Sequence, residues 1–426
     1  MLNKLVMVGL VGTLGAAGCG GPEEDVGLPA PTALQSAAGG NGAAAQAALP
    51  NVSAAAAAEV DDYLEHRVAR ETIRATLTRG ENTFDCVDEL EQPTVRQLRQ
   101  KTGLAIRALE TPPDEPRTPK SRQAPGGGVS FRGVQVDGGG CPSGSVPIRR
   151  IHRDEILRFG SLKNYFAKRP PPSENNYEYG TVGRSGDNNG GEATINEWNP
   201  YVEAAGEHSI AQIWVSRGTQ KADHTGTLET VEAGWVKRTG ANAVLFVYST
   251  TNDYSSGCWN TDCAFVAYAN TGVYLDAGFQ YYSSIDGPQY DQEFEIRKSS
   301  TTGSWFFYLD NVAVGYWPLS FFNADNTGIR QKASRFLTGG EVYGFNDGAH
   351  TQTDMGSGLW PYQGWQKSAY IRNIRYRTTG NVMTNLASTS VASVTDRECY
   401  DGIFASGGTW ASYMYFGGSG YNSKCP

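Results

Sequence analysis

The chain has 426 residues, with 36 Lys and Arg against 44 Asp and Glu, and all nine Trp and 20 of the 22 Tyr lie beyond residue 172. Residues 173–426 carry 25 acidic and 16 basic side chains, net −9, leaving 19 acidic and 20 basic, net +1, for the first 172. An acidic, aromatic C-terminal part argues against nucleic-acid binding, which needs clustered positive charge, and 52 Gly with few long apolar runs argue against a helix bundle or TIM barrel.

Met1–Cys19 reads as an export signal: Lys4 is the charged start, Leu5–Leu14 a short apolar run, and Ala16, Ala17 and Gly18 are small residues leading to Cys19. This ending resembles a lipobox, in which the thiol of Cys19 is lipidated, although Ala16 stands where Leu is usual; ordinary secretion is the alternative. No later run reaches the length of a membrane span, so the remainder is expected to be soluble. Residues 20–58, rich in Gly, Ala and Pro, should form a flexible tether.

Residues 59–172 change character. The spacing of Val60, Tyr63, Leu64, Val68, Ile73 and Leu77 predicts a helix over Glu59–Arg79. Further helices are expected over Thr94–Leu109 and Arg153–Phe159, and a strand over Val129–Val136. Pro170, Pro171 and Pro172 forbid helix and interrupt a ladder, which makes 172/173 the domain boundary.

Beyond it, short alternating runs separated by Gly, Asn, Asp and Ser predict an antiparallel β-sandwich. The runs are Ser209–Val215, Thr227–Trp235, Ala243–Tyr248, Phe294–Lys298, Ser304–Leu309, Val312–Trp317, Gly340–Phe345, Ala369–Tyr376 and Thr409–Phe416. The fold class is therefore all-β, a two-sheet sandwich over 173–426 behind a small α+β segment. Setting Cys19 aside leaves six cysteines, an even number that suggests disulfides in an exported chain. Grouping by region pairs Cys86 with Cys141, Cys258 with Cys263 and Cys399 with Cys425. The five His show no ligand spacing, so no metal or other cofactor is expected.

Among catalytic chemistries, a nucleophilic Ser finds no strand–turn–helix setting, the thiols have disulfide partners, and phosphate-binding glycine loops are absent. Two carboxylates stand in unusual company. Glu232 lies in the apolar run Val231-Glu232-Ala233-Gly234-Trp235, and Glu341 follows Gly339 and Gly340 at the start of a strand. Each alone reads as well as a solvated strand residue. Held together on one face they would share a proton, one acting as base toward water while the other donates.

The motifs Glu232-Ala233-Gly234-Trp235, Gly315-Tyr316-Trp317-Pro318, Gly339-Gly340-Glu341-Val342 and His350-Thr351 through Gly356-Ser357-Gly358 resemble the neprosin family of glutamic prolyl endopeptidases. The likeness continues through Gly257 and Cys258 to Cys263, Tyr370–Ile374, Cys399 and Tyr400, and Phe416–Gly420 to Cys425 and Pro426, covering most of residues 200–426. Upstream, Asp85–Asp88 and Cys141–Arg150 look like the start and end of that family's activation peptide.

The resemblance implies a two-sheet sandwich in which Glu232 and Glu341 form a dyad that cleaves after proline with an activated water, without metal or acyl-enzyme. It leaves open which glutamate is the base; the glycine-flanked strand leans to Glu341. Trp235, Tyr248, Trp317 and Tyr343 are candidate groove walls for proline rings, with sandwich core as the other reading of the tryptophans. Gln212 is a candidate polar contact or oxyanion donor, or an exposed strand amide; His350 is a substrate contact or a buried turn residue. Lys237–Gly240, Thr338 and Tyr421 depart from the plant pattern, which puts substrate preference in question, and the tether with its lipobox points to a bacterial member.

On this reading residues 59–172 are a mildly basic pro-domain covering an acidic groove, and a self-processing zymogen cuts itself after one of Pro170–Pro172 as pH falls. The expected partners are a proline-containing peptide and the chain's own pro-domain, with membrane attachment through Cys19 and a monomeric state. The alternatives are a carbohydrate-binding or adhesive surface sandwich and a two-carboxylate glycoside hydrolase.

Overall fold

The computed structural model describes residues 52–113, 120–124, 127–133, 140–168, 177–325, 327–344 and 350–426. Cys19, most of the tether, Pro170–Pro172 and the 172/173 boundary lie outside the described residues.

In the N-terminal part, helix α1 (Ala54–Arg67) starts at Ser53, whose hydroxyl accepts from the Ala56 amide, and ends before an extended Val68. The helix expected to run on to Arg79 stops there. Ile73–Arg79 is strand β1, in which Ile73, Ala75 and Leu77 alternate with more exposed neighbours, a period of two rather than 3.6. It pairs with β2 (Asn82–Asp88). Helix α2 (Pro93–Thr102) begins on a proline and closes on left-handed Gly103, short of the expected Leu109. Strands β3 (Ser130–Arg132) and β4 (Ser145–Arg149) and helices α3 (Arg153–Leu157) and α4 (Leu162–Phe166) complete this part. Strand order β1-β2-β4 gives a small antiparallel sheet.

The rest is a β-sandwich built from β5 (Tyr177–Asn188), β6 (Gly190–Asn196), β7 (His208–Arg217), β8 (Glu229–Arg238), β9 (Val244–Thr250), β10 (Cys258–Trp259), β11 (Val266–Ala267), β12 (Gln289–Lys298), β13 (Trp305–Leu309), β14 (Val312–Trp317), β15 (Ala333–Tyr343), β16 (Ala369–Arg377), β17 (Met383–Asn385), β18 (Ser393–Val394), β19 (Asp401–Ser406) and β20 (Ser412–Gly417). Sheet I has the order β10-β9-β8-β7-β15-β5-β18. Sheet II has the order β11-β14-β13-β12-β6-β16-β20-β19, with β17 on β16 and β3 on β12.

One apolar core gathers both sheets: Val231, Ala233 and Trp235 of β8 and Ile213 of β7 meet Ile195 of β6, Phe294 and Ile296 of β12 and Phe307 of β13. Alternation then sends Thr230, Glu232 and Gly234 to the other face of sheet I, where an antiparallel sheet would ordinarily meet water. The N-terminal part covers that face. Val60 of α1, Ile156 and Leu157 of α3 and Tyr165 of α4 join Ile210, Val236, Phe246 and Tyr248 in a second buried cluster. The described residues form one compact unit. The three disulfides are Cys86–Cys141, Cys258–Cys263 and Cys399–Cys425.

Candidate active site

Strand register assembles the site. Across β7 and β8, Trp214 stands opposite Glu232 and Gln212 opposite Gly234. Across β15 and β7, Gln212 stands opposite Gly339 and Ile210 opposite Glu341. Gln212 therefore sits between the two glutamates on one face of sheet I. Gly234 is required there: a Cβ at that position would lie 2.1 Å from the Ala211 carbonyl oxygen and 2.5 Å from Cβ of Gln212.

Glu232 and Glu341 are both buried, and one cation joins them. Lys168, just beyond α4, places Nζ 3.1 Å from Oε2 of Glu232 and 3.1 Å from Oε1 of Glu341. The amide oxygen of Gln212 accepts from the same ammonium at 3.0 Å and from Trp214 Nε1 at 3.1 Å, so its nitrogen donates to Glu232 Oε2 at 3.0 Å. The remaining Glu232 oxygen accepts from the hydroxyls of Tyr254, 2.6 Å, and Thr230, 2.8 Å. Glu341 Oε1 faces Nε2 of His208 at 3.2 Å. The His208 ring stacks on Tyr343, with centroids 5.5 Å apart.

The two carboxylates thus keep different company. Burial works to raise the Glu341 pKa, but Lys168 and then His208 outweigh it and hold the carboxyl below its ordinary range. Burial likewise opposes the Lys168 charge, and Glu232 with Glu341 reverses that, raising the ammonium's pKa. Burial pushes the Tyr254 phenol far up, with Glu232 adding to it, so Tyr254 stays a neutral donor.

The lysine is held by its backbone. Lys168 adopts φ +58°, a left-handed conformation disfavoured for a side chain with a Cβ. The Tyr177 hydroxyl donates to its carbonyl, and the Tyr248 hydroxyl donates to the Phe166 carbonyl at 2.9 Å.

Of the groove walls expected from sequence, Tyr248 and Tyr343 lie on the dyad's face. Tyr248 stands opposite Glu232 in the β8–β9 ladder, with Lys168 Nζ 5.6 Å from its ring centroid. The two tryptophans are corrected. Trp235 is three residues from Glu232, an odd step that turns it into the core, where Nε1 donates to the Asn196 carbonyl at 2.9 Å. Trp317 is wholly buried in sheet II against Phe265, with centroids 4.8 Å apart. Gln212 is not an exposed amide; it is buried at the centre of the site. His350 pairs with Glu178, 3.1 Å from its carboxylate, and touches neither glutamate.

Lys168, His208, Tyr254, Thr230 and Trp214 were outside the sequence reading. His208 and Trp214 had a signal, since each is an even step from Gln212 along one strand. Lys168 and Tyr254 lie outside the strands and had none.

A model of the neprosin family matches residues 205–419, just over half of the chain. Among solved structures, the chain is similar to scytalido-glutamic peptidase bound to a peptide-based transition-state analogue, with 10% identity over 58% of this chain and 98% of that one and a TM-score of 0.29. It is also similar to SCP-B, a member of the eqolisin family of peptidases, in complex with the tripeptide Ala-Ile-His, with 10% identity, the same coverage and a TM-score of 0.30. The family match spans β7, β8 and β15, the three strands that carry the buried carboxylates and the amide between them: the chain belongs to the neprosin family, and with it to the glutamic peptidases.

Proposed function

We propose that the chain is the exported precursor of an acid-acting endopeptidase that cleaves after proline, using Glu232 and Glu341 as its dyad and residues 59–172 as its inhibitor. The observation that carries this reading is the single ammonium in contact with both glutamates, because a water at that point reaches both carboxylates. Three disulfides agree with export.

In the freed enzyme His208 remains beside Glu341, while Glu232 keeps only neutral donors. Glu341 is then the ionised base and Glu232 the member that carries the shared proton. Glu341 takes a proton from water as its oxygen attacks the scissile carbonyl carbon. Glu232 donates a hydrogen bond to the carbonyl oxygen, with the Gln212 amide beside it to steady the growing negative charge. The proton held by Glu341 passes to the leaving nitrogen as the C–N bond breaks.

Latency follows from the same geometry. Arg67 to Asp262, Arg149 to Asp276 and Lys168 to the dyad all pair a base of the N-terminal part with an acid of the sandwich. Protonating the acids weakens these contacts together. A cut anywhere within residues 169–176 leaves Lys168 on the released side.

The test is a quenched peptide with one internal proline, assayed across acid pH with processed wild type, Glu232→Gln and Glu341→Gln. Each substitution should cost about a hundredfold or more in kcat. Turnover surviving in either variant removes the dyad. Precursor held at about pH 3–4, where ordinary carboxylates titrate, should process itself; processing only by added protease removes the self-cleaving step.

A further inference from the structure

On the opposite side of the sandwich, the outer face of sheet II carries five carboxylates: Asp291, Glu192 and Glu295 pair with Arg372, Arg375 and Arg297 of the same sheet, whereas Glu293 and Asp310 meet Lys120 and Arg132 of the N-terminal part. Asp291, Glu293 and Glu295 alternate along β12 with the core residues Phe294 and Ile296, and Glu192 of β6 stands opposite Glu295. Residues 120–124 and 127–133 of the N-terminal part lie over this face as a basic hairpin, in which Gln123 bridges antiparallel to Val129 and the Ser130 amide donates to the Arg122 carbonyl at 2.9 Å. Lys120 pairs with Glu192 and with Glu293, 2.7 Å away. Arg122 pairs with Asp291, and Arg132 Nε lies 2.9 Å from Asp310.

The backbone takes part as well. Residues 130–132 run parallel to 289–291, the end of β12 that β13 leaves unpaired, since β13 reaches only Phe294. Arg372 Nη1 donates to the Ser121 carbonyl at 2.7 Å. Gly128 lies flat against Trp365, whose Nε1 would be 2.3 Å from a Cβ there. Trp365 is part of an aromatic strip with Tyr370 and Trp410.

One further group points at this segment. Glu197 is wholly buried, and neither of its carboxylate oxygens has a hydrogen-bond partner among the described residues. It is aimed at Gly133, where a Cβ would lie 1.4 Å from Oε2. A buried carboxyl without a partner is costly and calls for a donor.

We propose that in the processed enzyme this face is a second binding site, remote from the dyad, for a hairpin-forming, Lys- and Arg-bearing segment of the protein substrate. One arm of the segment adds a strand along β12, as residues 130–132 do in the precursor, and its two arms seat cations on Glu293 and Asp310, as Lys120 and Arg132 do there. Strand addition supplies sequence-independent hydrogen bonds, and the carboxylates select for positive charge. The proposal rests on the reading that processing releases the N-terminal part.

The probe is a fluorescently labelled peptide with the sequence of residues 120–133 and alanine in place of Pro125, so that it is not itself cut. Anisotropy is read at about pH 6, where ordinary carboxylates are ionised, on full-length precursor and on protein processed by acid or added protease. Saturable binding to the processed form, none to the precursor, and a loss of about tenfold or more on Glu293→Gln with Asp310→Asn, or with Gln at the three basic positions of the probe, is the expected result. A quenched proline peptide extended by the same segment should show a lower KM with kcat unchanged.

Equal binding of the uncharged probe, no binding to the processed protein, or an N-terminal fragment that stays bound to it after cleavage overturns the proposal. Processed protein that binds the probe but cuts no proline peptide keeps this site and removes the peptidase reading. Processed protein that cuts the short peptide without binding the probe does the reverse.

Discussion

The Nε2 atom of His208 lies 3.2 Å from Oε1 of Glu341, and the two side chains share one face of sheet I from neighbouring strands. Burial lowers the His208 pKa and Glu341 works against that shift; Lys168 and Arg238 are the other charges that act on the ring. Once Lys168 has left, a protonated His208 is the cation nearest Glu341, and an opposite charge at this range lowers a carboxyl pKa by about one unit or more. His208→Gln should therefore move the acid limb of kcat/KM upward by about one pH unit. His208→Lys, which keeps a cation, should bring it back toward the wild-type position. A purely structural role for the ring would lower the rate without moving the limb.

The contact of Lys168 with both glutamates makes a second prediction, on latency and on stability against pH. Removing one partner from a buried ionic cluster costs about 3–5 kcal/mol, so Lys168→Met should weaken the hold of the N-terminal part and yield precursor that cuts peptides above the pH at which wild type is silent. The sign of the pH dependence follows from the shifts. Glu341, held below its ordinary 4.5, contributes stability that is present above that value and lost as pH falls through its folded pKa. Lys168, held above its ordinary 10.5, contributes stability that is present below that value and lost as pH rises through its folded pKa. The urea midpoint of wild-type precursor should fall in acid and in alkali, and Lys168→Met should reduce the alkaline fall without abolishing it, because the buried Tyr254 phenol, held far above 10.0, also costs stability as pH rises past that value.

What the sequence disclosed depended on whether a residue obeys a local period. Val312–Trp317 was legible to the residue because its valines and aromatic side chains favour a strand strongly enough to outweigh Gly315 and the bulge beside it. Tyr177–Asn188 escaped notice: its run of Gly, Ser, Asp and Asn reads as loop, and it is a strand because β15 pairs with it along its whole length. Ile73–Arg79 was absorbed into the helix before it, although its alternation is strict. The same parity rule would have sent Trp235 to the core and His208 to the site. No local rule reaches Lys168, whose partners lie 64 and 173 positions away and which is placed by the packing of α4 on sheet I.

Gly234 gives a third prediction, since nothing larger fits between β8 and β7. The contact of a Cβ there is with backbone, which cannot rotate away, so Gly234→Ala must push β8 from β7. Overpacking of this kind costs about 1–3 kcal/mol, and the displacement falls on the strand that carries Glu232. The variant should keep a folded sandwich by circular dichroism, melt at a lower temperature, and lose far more kcat than its stability loss accounts for. Full activity would mean that the site tolerates a wider strand spacing than the structure has.

The Tyr254 hydroxyl, 2.6 Å from Glu232, supplies the fourth. This phenol stays protonated because burial raises its own pKa far above 10.0, so it acts as a neutral donor that fixes the orientation of the Glu232 carboxyl. Tyr254→Phe should leave the fold intact and lower kcat about tenfold or more from the loss of positioning, with KM little changed. An unchanged kcat would mean that Thr230 and Gln212 hold Glu232 in place unaided.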